Sequence, residues 1–205
     1  MTEFNRRSRR QGGFSLIEVM FVLAILAVLT SISMLQIQTA RSALKGDAAM
    51  RVVLSQMNQA REMAIAQRRY MRVTFTASPP TVYVVREDTT TTTTTLAAIP
   101  FEGGAKFAVP TVLAAPSKDT PDNFGNTTPT TFTSGNGTFQ STTGSSSVIK
   151  FAPDGTLVDW NGQTTNGSVF TSIANDPLSA RAITVLGSTG RVRGYRWDGS
   201  GWKVL

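Results

Sequence analysis

The sequence predicts an α+β protein in which a long amino-terminal helix packs on a mostly antiparallel β-sheet. Three observations carry this. An apolar run extends from Phe14 to about Leu35, close to the ~20 residues that cross a bilayer as a helix. Beyond it, Met50, Val53, Met57, Ala60 and Ala64 recur at spacings of three and four, drawing one apolar stripe along a helix. From about residue 73 the period shortens to two, in short runs rich in β-branched and aromatic residues.

No proline occurs between Phe14 and Ser78, so a single helix, straight or bent, is expected to run to about Arg69. Its first half, 14–40, is the membrane-length part; its second half, 41–72, is amphipathic, with Arg51, Arg61, Arg68 and Arg69 mostly off the apolar stripe. Gly46 costs about 1 kcal/mol relative to alanine. It is either tolerated or a hinge between the two halves. Residues 73–205 form the β-rich domain. Arg72–Phe75 and Val82–Val85 read as strands joined through Ser78-Pro79-Pro80, and Lys106–Val109 as another. Between them, Thr89–Thr95 reads as a solvated loop, with a filament-surface decoration as the alternative. Ser117–Ser147 is dominated by Thr, Ser, Gly, Asn and Pro, so the whole stretch of about 89–147 is expected to be mainly long loops. Strands resume at Val148–Thr156, which ends in a Pro-Asp-Gly turn, then at Val169–Ile173, Ala182–Leu186 and Arg191–Trp197, the last two joined by Gly187–Gly190.

Composition removes several functions. The 205 residues include no histidine and no cysteine, which excludes Ser-His-Asp and Cys-His nucleophiles, cysteine-based zinc sites and disulfides. No paired carboxylates suggest acid–base catalysis, so no enzyme activity, cofactor or metal is expected. The net charge of +7 is unevenly spread. Arg41–Arg72 has seven basic against two acidic residues, Val73–Ala180 four against eight, and Arg181–Leu205 five against one.

The strongest signal is at the start. Arg9-Arg10-Gln11-Gly12-Gly13 precedes Phe14-Ser15-Leu16-Ile17-Glu18, and Glu18 sits inside the apolar run. A charge in the bilayer core is penalised by at least ~2.5–3.5 kcal/mol, so it invites a functional explanation. An ordinary secretory signal would share the basic start, but its apolar region is shorter and gains nothing from Glu18. A plain membrane anchor explains the length but neither Glu18 nor Gly12-Gly13.

This order of residues resembles the class III signal of type IV pilins and type II secretion pseudopilins. The resemblance implies a leader at 1–13, cleavage by prepilin peptidase between Gly13 and Phe14, and methylation of the new Phe14 amino terminus. It also implies that Glu18 pairs with the Phe14 ammonium of a neighbouring pilin or pseudopilin subunit during filament assembly. Removing the leader leaves the chain near +4, since residues 1–13 carry four arginines and Glu3. Before assembly the leader arginines would hold the amino terminus in the cytoplasm, leaving the domain periplasmic and the chain single-pass in the bacterial inner membrane.

A narrower resemblance rests on Phe151, Pro153, Asp154 and Gly155, followed by Gly190-Arg191-Val192-Arg193. Together with the leader it is similar to the GspH/FimT group of minor pilins and pseudopilins. These are low-abundance subunits that help initiate or cap a filament, and some bind DNA through a carboxy-terminal Gly-Arg-x-Arg motif. On a strand, Arg191, Arg193, Tyr195 and Trp197 share one face, with Arg196 on the other and Lys203 in the tail. Arginines contact phosphates and aromatic faces stack on bases, which makes Arg191, Arg193, Tyr195, Arg196 and Lys203 candidate DNA contacts. The alternative has the aromatics packed on the sheet and the arginines solvated or paired with acidic residues of the middle. Asp154 in its turn is expected to bond locally rather than to a cation, and Trp160 and Trp202 to be core or rim packing. A β-rich binding domain unrelated to filaments is the third reading.

Overall fold

The computed structural model describes residues 14–89, 91–110, 112–113, 121–123, 140–142, 146–158, 162–164, 166–174 and 176–205. Residues 1–13, Trp160 and most of Ser117–Ser147 lie outside the described residues. The chain divides into two compact units, 1–39 and 40–205.

Helix α1 spans Leu16–Gln67. It stops where Arg68 adopts a left-handed φ of 51° and the Arg69 amide bonds back to the Ala64 carbonyl at 3.2 Å, a left-handed helix ending carried here by a non-glycine residue. In the first unit the helix surface is apolar and exposed from Leu16 to Met34.

Within 40–205, the helical stripe Met50, Val53, Met57, Ala60 and Ala64 is buried, as its spacing predicts. It shares one core with Met71, Val73 and Phe75 of β1 (Met71–Ala77), Val82 and Val84 of β2 (Pro80–Glu87), and residues of both sheets beyond. β1 shows the expected alternation: Met71, Val73 and Phe75 are fully buried while Arg72, Thr74 and Thr76 are half-exposed. The remaining strands are β3 (Thr93–Pro100), β4 (Ala105–Lys106), β5 (Gln140–Thr142), β6 (Ser146–Phe151), β7 (Leu157–Val158), β8 (Gly167–Ile173), β9 (Arg181–Leu186), β10 (Arg191–Trp197) and β11 (Trp202–Val204). They form two sheets rather than one. The first has the order β3-β2-β1-β6-β5 with β7 added to β6, the second β11-β10-β9-β8-β4, and the strand pairs are antiparallel. The fold is α+β, consistent with a pilin-like architecture.

Several local features differ from the sequence reading or add to it. Thr93–Thr95 is not loop but the start of β3, an edge strand, because threonine is β-branched and suits a pleat with one solvated face. The strand expected at Lys106–Val109 shrinks to Ala105–Lys106, since Phe107 turns into the core against Phe75 and Phe101. The tail is ordered into β11, pairing Trp197 with Trp202 across the turn at Asp198. The helical segment drawn to residue 72 also overshoots, because Met71 and Arg72 already belong to β1.

Gly46 has a reason beyond tolerance or hinging. A Cβ there would lie 2.4 Å from the Ser179 carbonyl oxygen, so only glycine permits this approach of α1 to the 3-10 turn Pro177–Ser179. Polar bonds surround it. The Ser42 hydroxyl donates to Asp176, which also caps the turn by accepting from the Leu178 amide at 3.0 Å. Arg181 is fully buried and donates to Asp47 at 2.6 Å, to the Leu178 and Ala180 carbonyls at 2.8 Å and to the Ala43 carbonyl at 2.9 Å.

Candidate functional site

At the amino-terminal end, Phe14 is exposed, and the Ser15 carbonyl accepts the Glu18 and Val19 amides at 3.0 and 3.2 Å to start α1. Glu18 lies in the first turn, where the helix dipole favours a carboxylate. Leu16–Met34 is long and apolar enough to cross a membrane, with a mean hydropathy of 2.4, and Glu18 is its sole charged residue. The hydroxyls in the apolar run satisfy themselves. Thr30, Ser31 and Ser33 donate to the Leu26, Ala27 and Leu29 carbonyls at 2.8–3.0 Å, so none needs water. Glu18 has no such recourse: among the described residues no cation pairs with it. Gly13, the other half of the expected cleavage site, lies outside the described residues.

Residues 8–34 match the family model of the prokaryotic N-terminal methylation motif. This match supports a type IV pilin-like protein. That motif marks a chain processed by prepilin peptidase and assembled with other pilin subunits, and with the apolar helix it fits anchoring in the inner membrane and then a pilus. It suits a structural subunit. No curated protein and no solved structure matches the chain.

The pieces of the carboxy-terminal motif meet in space. Gly155 and Gly190 both have positive φ, 84° and 62°. A Cβ on Gly190 would sit 1.9 Å from the Gly155 carbonyl oxygen, and one on Gly155 would sit 2.7 Å from Ile65 of α1. Arg61 of α1 donates to that same Gly155 carbonyl at 3.3 Å. The Pro-Asp-Gly turn, the β9–β10 hairpin and the helix therefore form one junction. Asp154 bonds locally, accepting from the Thr156 amide at 2.9 Å and the Thr156 hydroxyl at 2.7 Å, and these bonds hold its carboxyl below the ordinary carboxylate value.

Strand β10 places the candidate DNA residues on two faces, as the period of two requires. Arg196 stands opposite Arg181 and Lys203, on the side where Gly194 touches Met50 and Leu54 of α1. Arg191, Arg193, Tyr195 and Trp197 take the outer side. The structure does not bring the five residues onto one surface. Arg191 and Arg196 are exposed, but Tyr195 and Trp197 are 5% exposed. Trp197 packs edge-on against Trp202, which in turn lies against Phe170. Lys203 lies 3.7 Å from Asp198. Arg193 lies 3.6 Å from Asp122, which also accepts the Tyr195 hydroxyl and, at 2.6 Å, the Thr184 hydroxyl. Burial and then the bond to Asp122 push the Tyr195 hydroxyl above its ordinary value. Packed aromatics and an arginine paired with an acid of the middle segment are the alternative drawn from the sequence.

No sequence signal marks Asp122 or Thr184. Asp122 sits in a 3-10 turn, Pro121–Asn123, inside a stretch that reads as loop, and nothing local ties it to β10. Arg181 reads in the sequence only as one of the tail charges, and its burial is set by Asp47, 134 residues away in the chain. Among the described residues no group of three or more His, Cys, Asp or Glu is placed to hold a metal.

Proposed function

We propose that this chain is a minor pilin or pseudopilin of the GspH/FimT type. It is made as a single-pass inner-membrane protein with its amino terminus in the cytoplasm and residues 40–205 in the periplasm. Prepilin peptidase cuts between Gly13 and Phe14 and methylates Phe14. The subunit is then assembled, near the tip, into a type IV pilus or a type II secretion pseudopilus.

The observation that carries this reading is Glu18, a carboxylate in the first turn of α1 that has no cation partner among the described residues and is the one charge in the apolar segment Leu16–Met34. Its desolvation is offset when an opposite charge approaches within an apolar bundle, and cleavage creates such a charge on the Phe14 of a neighbour. The GspH/FimT assignment draws support from the junction at Gly155 and Gly190, which gives both motif glycines a structural need. Intact-mass measurement of the protein extracted from membranes tests the reading. A chain beginning at methylated Phe14 is expected; one retaining residues 1–13 would favour an anchored β-rich binding domain instead.

A second reading adds DNA capture during transformation. The exposed Arg191 and Arg196 and the five-to-one basic excess from Arg181 to Leu205 favour it. Such binding would be sequence-independent and strongly salt-dependent.

A further inference from the structure

We propose that Thr184, Arg193 and Tyr195 form a binding site for a nucleic-acid phosphate, and that the Asp122 carboxylate is its built-in competitor. This rests on the DNA-capture reading and states how that activity is held in check. The three donors belong to adjacent strands. Thr184 and Arg193 are cross-strand partners in β9 and β10, and Tyr195 lies two residues further on the same face. Their spacing is therefore fixed by the sheet. Thr184 and Tyr195 are both buried, and both hydroxyls point at one acceptor group.

That acceptor comes from outside the sheets. Asp122 belongs to a three-residue turn, has a left-handed φ of 57°, and presents two anionic oxygens: Oδ2 to Thr184, and Oδ1 to Tyr195 and Arg193. Two hydroxyls and a guanidinium around a pair of anionic oxygens also suit a phosphodiester, whose free oxygens accept the same charge-assisted bonds. Arg193 is only partly covered, and Arg191 continues the same face in the open. A phosphate that displaced Asp122 would thus have a neighbouring cation for the next phosphate. While Asp122 is in place, the intrinsic affinity is reduced by the fraction of molecules in which the site is open.

The test measures binding of a fluorescent single-stranded oligonucleotide to the full chain in detergent, at low and moderate salt. Asp122→Asn removes the charge and keeps a residue that tolerates left-handed backbone; Asp122→Gly does the same without any side chain. Both should bind roughly tenfold tighter than wild type, as expected if about one molecule in ten is open. Glu102→Gln, a charge-matched change at an exposed position, should bind like wild type. Arg193→Ala added to Asp122→Asn should remove the gain. Equal binding by wild type and Asp122→Asn would overturn the competitor while leaving DNA capture standing. Absence of binding by wild type and all variants at low salt would overturn both. A gain that survives Arg193→Ala, or that Glu102→Gln reproduces, would be a general charge effect and overturn the site. Thermal stabilisation of Asp122→Asn by inorganic phosphate without oligonucleotide binding would overturn the nucleic-acid assignment. Loss of folding in both Asp122 variants would make Asp122 a structural cap and overturn the proposal.

Discussion

Glu18 and Arg181 are both charges set in apolar sequence, and they end in opposite circumstances. Arg181 is fully buried in the domain of residues 40–205, with Asp47 and three backbone carbonyls around its guanidinium. Glu18 lies on an exposed apolar helix and meets no cation among the described residues. A charge whose partners are in its own chain is a device of folding. One whose partner is missing points to another molecule. The same contrast separates Arg193, which has Asp122, from Arg191, whose side chain has no ion-pair partner among the described residues.

The largest expected effect tests the missing partner. Glu18→Ala should leave cleavage and methylation at Phe14 intact, because the leader and the apolar run are untouched, yet abolish recovery of the protein in sheared filaments. Intact mass and filament fractionation read the two separately. Normal incorporation of the variant would end the contrast, since Glu18 would then need no external cation.

Arg181 supplies the opposite case. Asp47→Ala leaves a buried guanidinium without its counter-charge, and breaking a buried pair costs about 3–5 kcal/mol. Chemical denaturation should show a loss of that order, tempered by the surviving carbonyl bonds. Replacing the pair together, Asp47→Ala with Arg181→Met, should cost less than Asp47→Ala alone. If the double variant is the less stable, the arginine stabilises without its acid.

How far each circumstance could be read from sequence follows the range of the interactions involved. The helix stripe, the β1 and β10 alternation and the Pro-Asp-Gly turn are set by neighbours a few residues away, and they appear where the pattern puts them. Glu18 was legible because its anomaly is local: one carboxylate in an uncharged run. The bonds from Asp122 to Tyr195 and from Asp47 to Arg181 join residues far apart in the chain, so no periodicity announces them. The division into two sheets is invisible for the same reason. β3 is not legible in the sequence because threonine serves loops and edge strands equally well, and only pairing with β2 decides between them.

Gly46 sharpens the comparison at a position without charge. On propensity alone, Gly46→Ala should stabilise a helix by about 1 kcal/mol. The added Cβ would meet the Ser179 carbonyl at 2.4 Å, and that atom is backbone. Overpacking of this kind costs ~1–3 kcal/mol, so the net change should be destabilising or at best neutral. A thermal melt decides it. Clear stabilisation would mean that α1 and the Pro177–Ser179 turn separate easily, and the hinge reading of Gly46 would return.

The smallest effect concerns an exposed charge that is locally satisfied. Asp198 accepts bonds from the Ser200 amide, the Ser200 hydroxyl and the Gly201 amide, each at 2.8 Å, and these hold its carboxyl well below the ordinary value. A carboxylate depressed in the folded state contributes stability above its unfolded pKa of ~3.9, and that contribution fades as pH falls toward the folded value. Asp198→Asn should therefore melt slightly below wild type near neutral pH, and the gap should close on acidification below about pH 4. The other carboxylates titrate in both proteins and cancel in the difference. Its surface position keeps the effect small and salt-sensitive. A gap that stays constant to the acid end would mean that the turn at Asp198 is held by β11 pairing rather than by its carboxylate.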